Sequence, residues 1–263
     1  EAQHAPPAVT LRRLVSLAGQ AFKPTIPIQI GLGVDTVTLG GADVQNVRGD
    51  LSTAAGGWTL DRFEFRAPGF TDVRLSGRLE FENSGAVFRG PAEIKAVNPN
   101  ALAAWLEGRK NAPKTPPRSL RVRGDVTLSN EKIAIEQLAA NFDRGAVSGR
   151  FIYTFGSGQA GGSIDASLSA PELDLDAANA FVKAVSAGST MERPSKVSLA
   201  LDIGRASFAG YEAGKTVAQL QYGDNGLDIE QLTVDNFGGA NIDAKGRIAL
   251  APSPHGDLTL DLD

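Results

Sequence analysis

The sequence predicts a mostly β protein: repeated antiparallel β units forming a curved, twisted sheet or open sandwich with an apolar inner face, plus two or three short helices. Three observations predict it. Apolar residues alternate with polar ones over long stretches, the period of a half-buried antiparallel strand. Turn residues punctuate those stretches roughly every 8–12 residues. The pattern also repeats: sliding the chain by 169 residues lays Ile28–Phe81 on Val197–Leu250 without a gap.

The first element in chain order is a helix and lead-in over residues 1–27, with Leu11, Leu14, Val15, Ala18 and Phe22 as its apolar stripe within Val9–Phe22. The first β unit, residues 28–117, follows. Its third strand alternates strictly, with Val73, Leu75, Gly77, Leu79 and Phe81 on one face and Arg74, Ser76, Arg78 and Glu80 on the other. Its second strand slips in parity: Trp58 and Leu60 share one face, Phe63 and Phe65 the other, which predicts a bulge or corner near Asp61. Pro68-Gly69 and Ala54-Ala55-Gly56-Gly57 supply the turns. A short helix over 99–108 starts after Asn98 and ends at Gly108.

The middle β unit spans residues 118–195. Val47-Arg48-Gly49-Asp50 recurs there as Val122-Arg123-Gly124-Asp125, and the parity slip returns between Ile135 and Leu138. Its third strand carries Val147, Gly149, Phe151, Tyr153 and Phe155 on the apolar parity, and a helix over 173–188 follows. The third unit, residues 196–263, duplicates 28–81. Ile229-Glu230-Gln231-Leu232 repeats Ile135-Glu136-Gln137-Leu138 unchanged, and Ile242, Ala244, Gly246, Ile248 and Leu250 line its third strand. Alternation continues through Leu258, Leu260 and Leu262, so the unit is expected to be truncated at Asp263.

Composition removes several function classes. The chain has 263 residues, a net charge of −4 and a pI near 5.3, so no bulk basic field recruits nucleic acid. It has no Cys and only two His, His4 and His255, which removes thiol chemistry, Cys-rich zinc sites and most His-based acid–base chemistry. No apolar run reaches the roughly 18 residues that span a bilayer. No catalytic constellation and no metal or cofactor site is expected; the chain is expected not to be an enzyme.

Individual motifs resolve into ordinary structure. Gly156-Ser157-Gly158-Gln159-Ala160-Gly161 matches G-x-G-x-x-G, but an alternating β segment follows where a dinucleotide site needs a helix, so it reads as a hairpin loop. Both Arg-Gly-Asp tripeptides lie inside strands. Glu172, Asp174 and Asp176 read as a helix start favoured by its dipole. Arg109, Lys110, Lys114, Arg118, Arg121 and Arg123 form the one basic cluster, a solvated loop or a contact for lipid headgroups or an acidic partner.

What remains is the apolar face with glycines at inward positions: Gly49, Gly77, Gly124, Gly149 and Gly246. Glycine weakens a strand unless the strand bends or something approaches closely. Two readings follow: curvature around a closed core, or an open apolar trough in which small residues make room for acyl chains. The candidate trough residues are Phe63, Phe65, Leu75, Gly77, Leu79, Phe81, Gly149, Phe151, Tyr153 and Phe155. In an open trough, Gly149→Leu is expected to narrow the groove at little cost in stability; in a closed core it overpacks, at about 1–3 kcal/mol.

Gly57-Trp58-Thr59-Leu60, Leu75-Ser76-Gly77-Arg78-Leu79, Phe88-Arg89-Gly90, Ala101-Leu102-Ala103-Ala104-Trp105-Leu106, Val147-Ser148-Gly149-Arg150-Phe151 and Leu168-Ser169-Ala170-Pro171-Glu172-Leu173-Asp174-Leu175-Asp176 resemble the AsmA-like family of Gram-negative envelope proteins. The resemblance covers most of the chain from about residue 28. It implies a β groove that binds phospholipid or another acyl-chain lipid, and a role in moving lipid toward the outer membrane or supporting its assembly. It implies a periplasmic location with an inner-membrane tether outside this segment, and envelope assembly proteins as further partners. The alternative is a non-enzymatic structural or assembly scaffold with a closed β core. A glycan hydrolase whose carboxylates meet only in the fold is the third class.

Overall fold

The computed structural model describes residues 7, 10, 26–54, 57–82, 85–109, 119–142, 145–156, 161–186, 194–224, 226–249 and 255–263. The helix expected over Val9–Phe22 falls, Thr10 apart, outside them. So do His4, Lys110, Lys114, Arg118, Leu250 and the loop residues 157–160. The chain divides into two compact units, one of residues 1–143 with 184–191, the other of 144–183 with 192–263. The division falls inside the middle β unit of the sequence, between its second and third strands.

Unit 1 is a meander of seven antiparallel strands: β1 (Gln29–Leu39), β2 (Ala42–Ala54), β3 (Gly57–Ala67), β4 (Thr71–Glu82), β5 (Gly85–Ala96), β6 (Leu120–Leu128) and β7 (Lys132–Phe142). Each pairs with its neighbour in sequence. Period-two alternation gives every strand one apolar and one polar side. The register aligns those sides across the sheet: Leu32 lies across from Gly49, Gly49 from Phe63, Phe63 from Leu75, Leu75 from Ala92 and Ala92 from Gly124.

The opposite side carries charge. Arg62 reaches Asp50 at 2.9 Å, Arg66 reaches Asp72 at 2.9 Å, Arg89 spans Glu80 and Glu82 at 2.8 and 2.7 Å, and Arg121 reaches Glu93 at 2.6 Å. These pairs are largely exposed and individually worth well under about 1 kcal/mol. They keep that face wet and leave the other as the one that buries apolar surface.

Helix α1 (Pro99–Leu106) follows β5. Asn98 caps it by accepting from the Ala101 amide, proline starts it, and Gly108 just beyond its end adopts φ 70°. It buries Ala103, Ala104 and Trp105.

Unit 2 contains β8 (Gly145–Thr154), β9 (Ser163–Ala170), β11 (Lys196–Ile203), β14 (Thr216–Gly223), β15 (Gly226–Phe237), β16 (Ala240–Ala249) and β17 (His255–Leu262). Three short strands, β10 (Leu173–Asp174), β12 (Ala206–Phe208) and β13 (Tyr211–Ala213), form a separate small sheet. The described residues thus hold seventeen strands where the sequence suggests about fifteen. Helix α2 (Leu175–Ser186) begins two residues later than expected, because Leu173 and Asp174 pair with Ala206 and Ser207. Asp174 then accepts from the Ala177 amide as a helix cap. The excursion through β10 and α2 brings β11 back parallel to β9. Long connections of this kind, containing a helix, permit parallel pairing.

Register irregularities recur at the 169-residue offset. In unit 1 the β3–β4 register shifts between Leu60 and Phe63; in unit 2 the β15–β16 register shifts between Ile229 and Leu232. The β2–β3 shift between Asp50 and Leu51 recurs between Gln219 and Leu220. All four positions differ by 169 residues. The β6–β7 ladder also shifts, between Arg123 and Asp125, with Gln137 at φ 50°. The copies also differ: β2–β3 shifts again between Gln45 and Arg48, and β15–β16 between Val234 and Phe237, without counterparts. β1 and β2 run unbroken, whereas their counterparts break near Gly204 and Gly214, and β12 pairs with β10 on one side and with β13 on the other.

Candidate functional site

The apolar face of unit 1 has two regions of different packing. At one end it is closed. Val44, Val47 and Ala67 are buried with Trp105 of α1, and Val34, Leu39, Phe63, Phe65, Leu102 and Leu106 pack around them. The Trp105 indole Nε1 donates to the Leu39 carbonyl at 2.8 Å. The helix is therefore a plug over the ends of β1–β3. Unit 2 builds its own plug from Ile203, Ala206 and Ala213 with Leu173, Leu175, Leu201, Val234 and Phe237 around them. Ile203, Ala213 and Val234 are the 169-residue counterparts of Val34, Val44 and Phe65.

Beyond the plug, the face is half-buried. Leu60, Leu75, Leu79, Phe81, Phe88, Val126, Leu128, Ile133 and Ile135 are all partly exposed, although they occupy the inward parity. Close-packed interiors hide side chains of this size completely. Here they lie side by side along the sheet, away from α1.

The ten expected trough residues sort between the units. Phe63, Phe65, Leu75, Gly77, Leu79 and Phe81 share the apolar face of unit 1, with Phe63 and Phe65 ring centroids 5.5 Å apart. Phe63 and Phe65 stand beside the plug; Leu79 and Phe81 lie in the half-buried region. Gly149, Phe151 and Tyr153 lie on β8 of unit 2, across from Leu168, Ala166 and Ile164. Phe155 follows β8 and meets Tyr153 edge-on at 5.2 Å. Tyr153 is the one residue of the set that is buried.

The glycines have a backbone cause. Gly77, Gly149 and Gly246 hold φ 152°, 146° and 147°, a region closed to residues with side chains. A Cβ at Gly77 would also collide with the Arg89 carbonyl oxygen, one at Gly149 with that of Ser167, and one at Gly246 with that of Asp257. These glycines permit close strand approach at one repeated point in the third strand of each copy. The expectation that Gly149→Leu is tolerated over an open trough is corrected accordingly: the substitution is strained whatever covers the face.

One concavity of unit 1 was not foreseen from sequence. It is a crease of about 640 Å³ whose lining mixes charged residues, among them Arg62, Glu64, Arg74, Glu93, Arg123 and Asp125, with the expected trough residues Phe63 and Leu75 and with Pro91, Ala92 and Ala139; Asp61 and Gly124 stand at the bulges. The bulges bend the sheet there. The parity slips signalled the bend, but polar strand residues carry no signal that a bend will gather them. Two of its carboxylates are matched by cations: Arg121 lies 2.6 Å and Lys95 3.3 Å from Glu93, and Arg74 stands 3.9 Å from both Glu64 and Glu93. The Arg121 hydrogen bond, against a smaller opposing effect of burial, holds the Glu93 carboxyl below the ordinary range. A general acid needs the opposite shift. Of the described residues of the basic cluster, Arg109 is bound to Glu107 at 2.6 Å and Arg121 to Glu93.

Among the described residues, no helix is long and apolar enough to cross a membrane, and no group of three His, Cys, Asp or Glu is placed to hold a metal ion. Comparison with known proteins returns no matching family, no matching curated protein and no matching solved structure.

Proposed function

We propose that this chain binds phospholipid acyl chains along the apolar face of its β units and helps move lipid toward the outer membrane, as the resemblance to AsmA-like envelope proteins implies. One observation carries the reading. Large apolar side chains on the inward parity of β3–β7 stay partly exposed outside the Trp105 plug. Half-burying an acyl chain of about sixteen carbons there contributes roughly 6 kcal/mol relative to water. Relative to a bilayer the same chain gains nothing, since lipid tails are already in an apolar medium. Such a face hands lipid on instead of retaining it, which suits transfer.

In this reading the protein performs no catalysis, works in the periplasm on an inner-membrane tether, and meets envelope assembly proteins. The plugs favour a second reading, a scaffold with a closed core, because Val44, Val47, Ala67 and Trp105 are packed without room for a ligand. Mass spectrometry of lipids that co-purify with the chain separates the two. Phospholipid at stoichiometric yield, displaced by a fluorescent fatty acid, supports transfer. A lipid-free protein that binds no probe overturns it and leaves the scaffold.

A further inference from the structure

The tip of the β3–β4 hairpin exposes an aromatic ring that folding alone does not explain. Phe70 holds φ 51°, left-handed backbone that bulky side chains rarely adopt, and it is the one aromatic at positive φ among the described residues. Burial does not offset the strain: Phe70 is 74% exposed, the highest value among the large apolar residues described. At the 169-residue offset the position is Gly239, φ 99°, so the copy in unit 2 fills it with the residue such a backbone favours.

The turn that carries the ring is fixed in place. Thr71, next to it, is fully buried, and its hydroxyl donates to the Pro68 carbonyl at 2.9 Å. The Asn98 amide donates to the Gly69 carbonyl at 2.9 Å, and Asn98 also caps α1. Thr71 lies across from Ala96, so Val97, 59% exposed, follows beside Phe70. Charge stands one row behind Thr71 and Ala96. Arg66 lies across from Asp72 and Asp72 across from Lys95. Arg66 pairs with Asp72 at 2.9 Å and Lys95 with Glu93 at 3.3 Å, so this collar is electrically balanced.

An apolar tip of this size on a charged collar fits a lipid surface. One phenyl and one valine fall well short of the roughly 800 Å² that each partner of a standard protein interface buries. They suit the boundary between headgroups and acyl chains, where aromatic side chains sit about 5–10 Å deep and charged groups stay in the headgroup layer. The collar is two residue steps behind the ring, about 7 Å at the rise of a strand. Its balanced charge calls for no anionic lipid.

We propose that Phe70, with Val97 beside it, inserts into the interface of a bilayer and docks the plug end of unit 1 on it. This goes beyond the lipid-transfer reading and does not rest on it: a chain whose apolar face held no lipid would dock in the same way.

The test is co-sedimentation of the 263-residue chain with phosphatidylcholine vesicles, wild type against Phe70→Gly and Phe70→Trp. Phe70→Gly matches the copy in unit 2, so its melting temperature should equal or exceed that of wild type. Its vesicle affinity should fall about tenfold or more, the scale of withdrawing one phenyl ring from an apolar medium. Phe70→Trp should bind vesicles, with its added emission shifted to shorter wavelength. The proposal is overturned by wild type that stays unbound at millimolar lipid, or by equal affinity of Phe70→Gly. A melting temperature lowered in Phe70→Gly also overturns it, since the ring would then be packed. So does a wild-type dimer that Phe70→Gly abolishes, which would put a second copy on the tip. Because the readouts are vesicle affinity and emission at position 70, failure of the fatty-acid probe to bind the trough leaves the result unaffected.

Discussion

Trp105 donates its indole N–H to the carbonyl of Leu39, joining α1 to the end of β1 across 66 residues of sequence. The contact decides where the apolar face of unit 1 closes. Trp105→Ala removes the plug and is expected to destabilise the unit by about 3–5 kcal/mol, the range for a buried large aromatic. Trp105→Phe keeps most of the volume but strands the Leu39 carbonyl, at about 1–3 kcal/mol. Urea unfolding of both variants checks the order.

Gly149→Ala is expected to cost at least about 1 kcal/mol and Gly149→Leu more, from backbone strain at φ 146° and collision with the Ser167 carbonyl. Gly246→Ala should behave alike, since its conformation and its clash with Asp257 are the same. A thermal melt unchanged by either substitution would contradict the backbone account of these positions.

Leu79 is the better probe of the trough, because it is partly exposed and lies across from Trp58 and Phe88. Leu79→Gln is expected to cost less than about 2 kcal/mol, since little burial is lost. Binding of a fluorescent fatty acid should fall several-fold. A loss near the about 2–5 kcal/mol typical of truncations in a filled core would instead mark a closed interior.

Glu93 gives a pH test. Its carboxyl is held below the ordinary value, chiefly by the Arg121 hydrogen bond. Its contribution to stability is therefore present above the ordinary carboxylate pKa and lost as pH falls through the lowered folded value. The difference in stability between wild type and Glu93→Gln should be largest near neutrality and shrink below about pH 4. The side chain is a quarter exposed, so the effect is small. A difference that grows on acidification would reverse the sign of the assignment.

The sheet was legible wherever side-chain parity carried the information. Leu60 and Phe63 both point inward with two residues between them, so the bulge shows in the sequence, and Ile229 and Leu232 repeat it. Strand direction has no such signature. Nothing in the alternation of Ser163–Ala170 or Lys196–Ile203 announces that the two run parallel. Leu173-Asp174 looks like a helix start because its pairing partner, Ala206-Ser207, is remote in sequence. The crease was hidden for a related reason: it arises from the bend, which gathers residues of both parities, Phe63 and Leu75 among them, that alternation alone assigns to opposite faces.

Each strand of unit 1 pairs only with the strands next to it in sequence. Such a chain of hairpins has little long-range closure entropy to overcome, so unit 1 should assemble by zippering from any local hairpin. Opening runs the same way in reverse. Amide exchange should be graded from the outermost strand inward, with β1 held back at one end by the Trp105 anchor, and not uniform as in an all-or-none domain. In unit 2 the parallel join of β9 to β11 must wait for the intervening excursion to fold, which makes it the slow step of that unit.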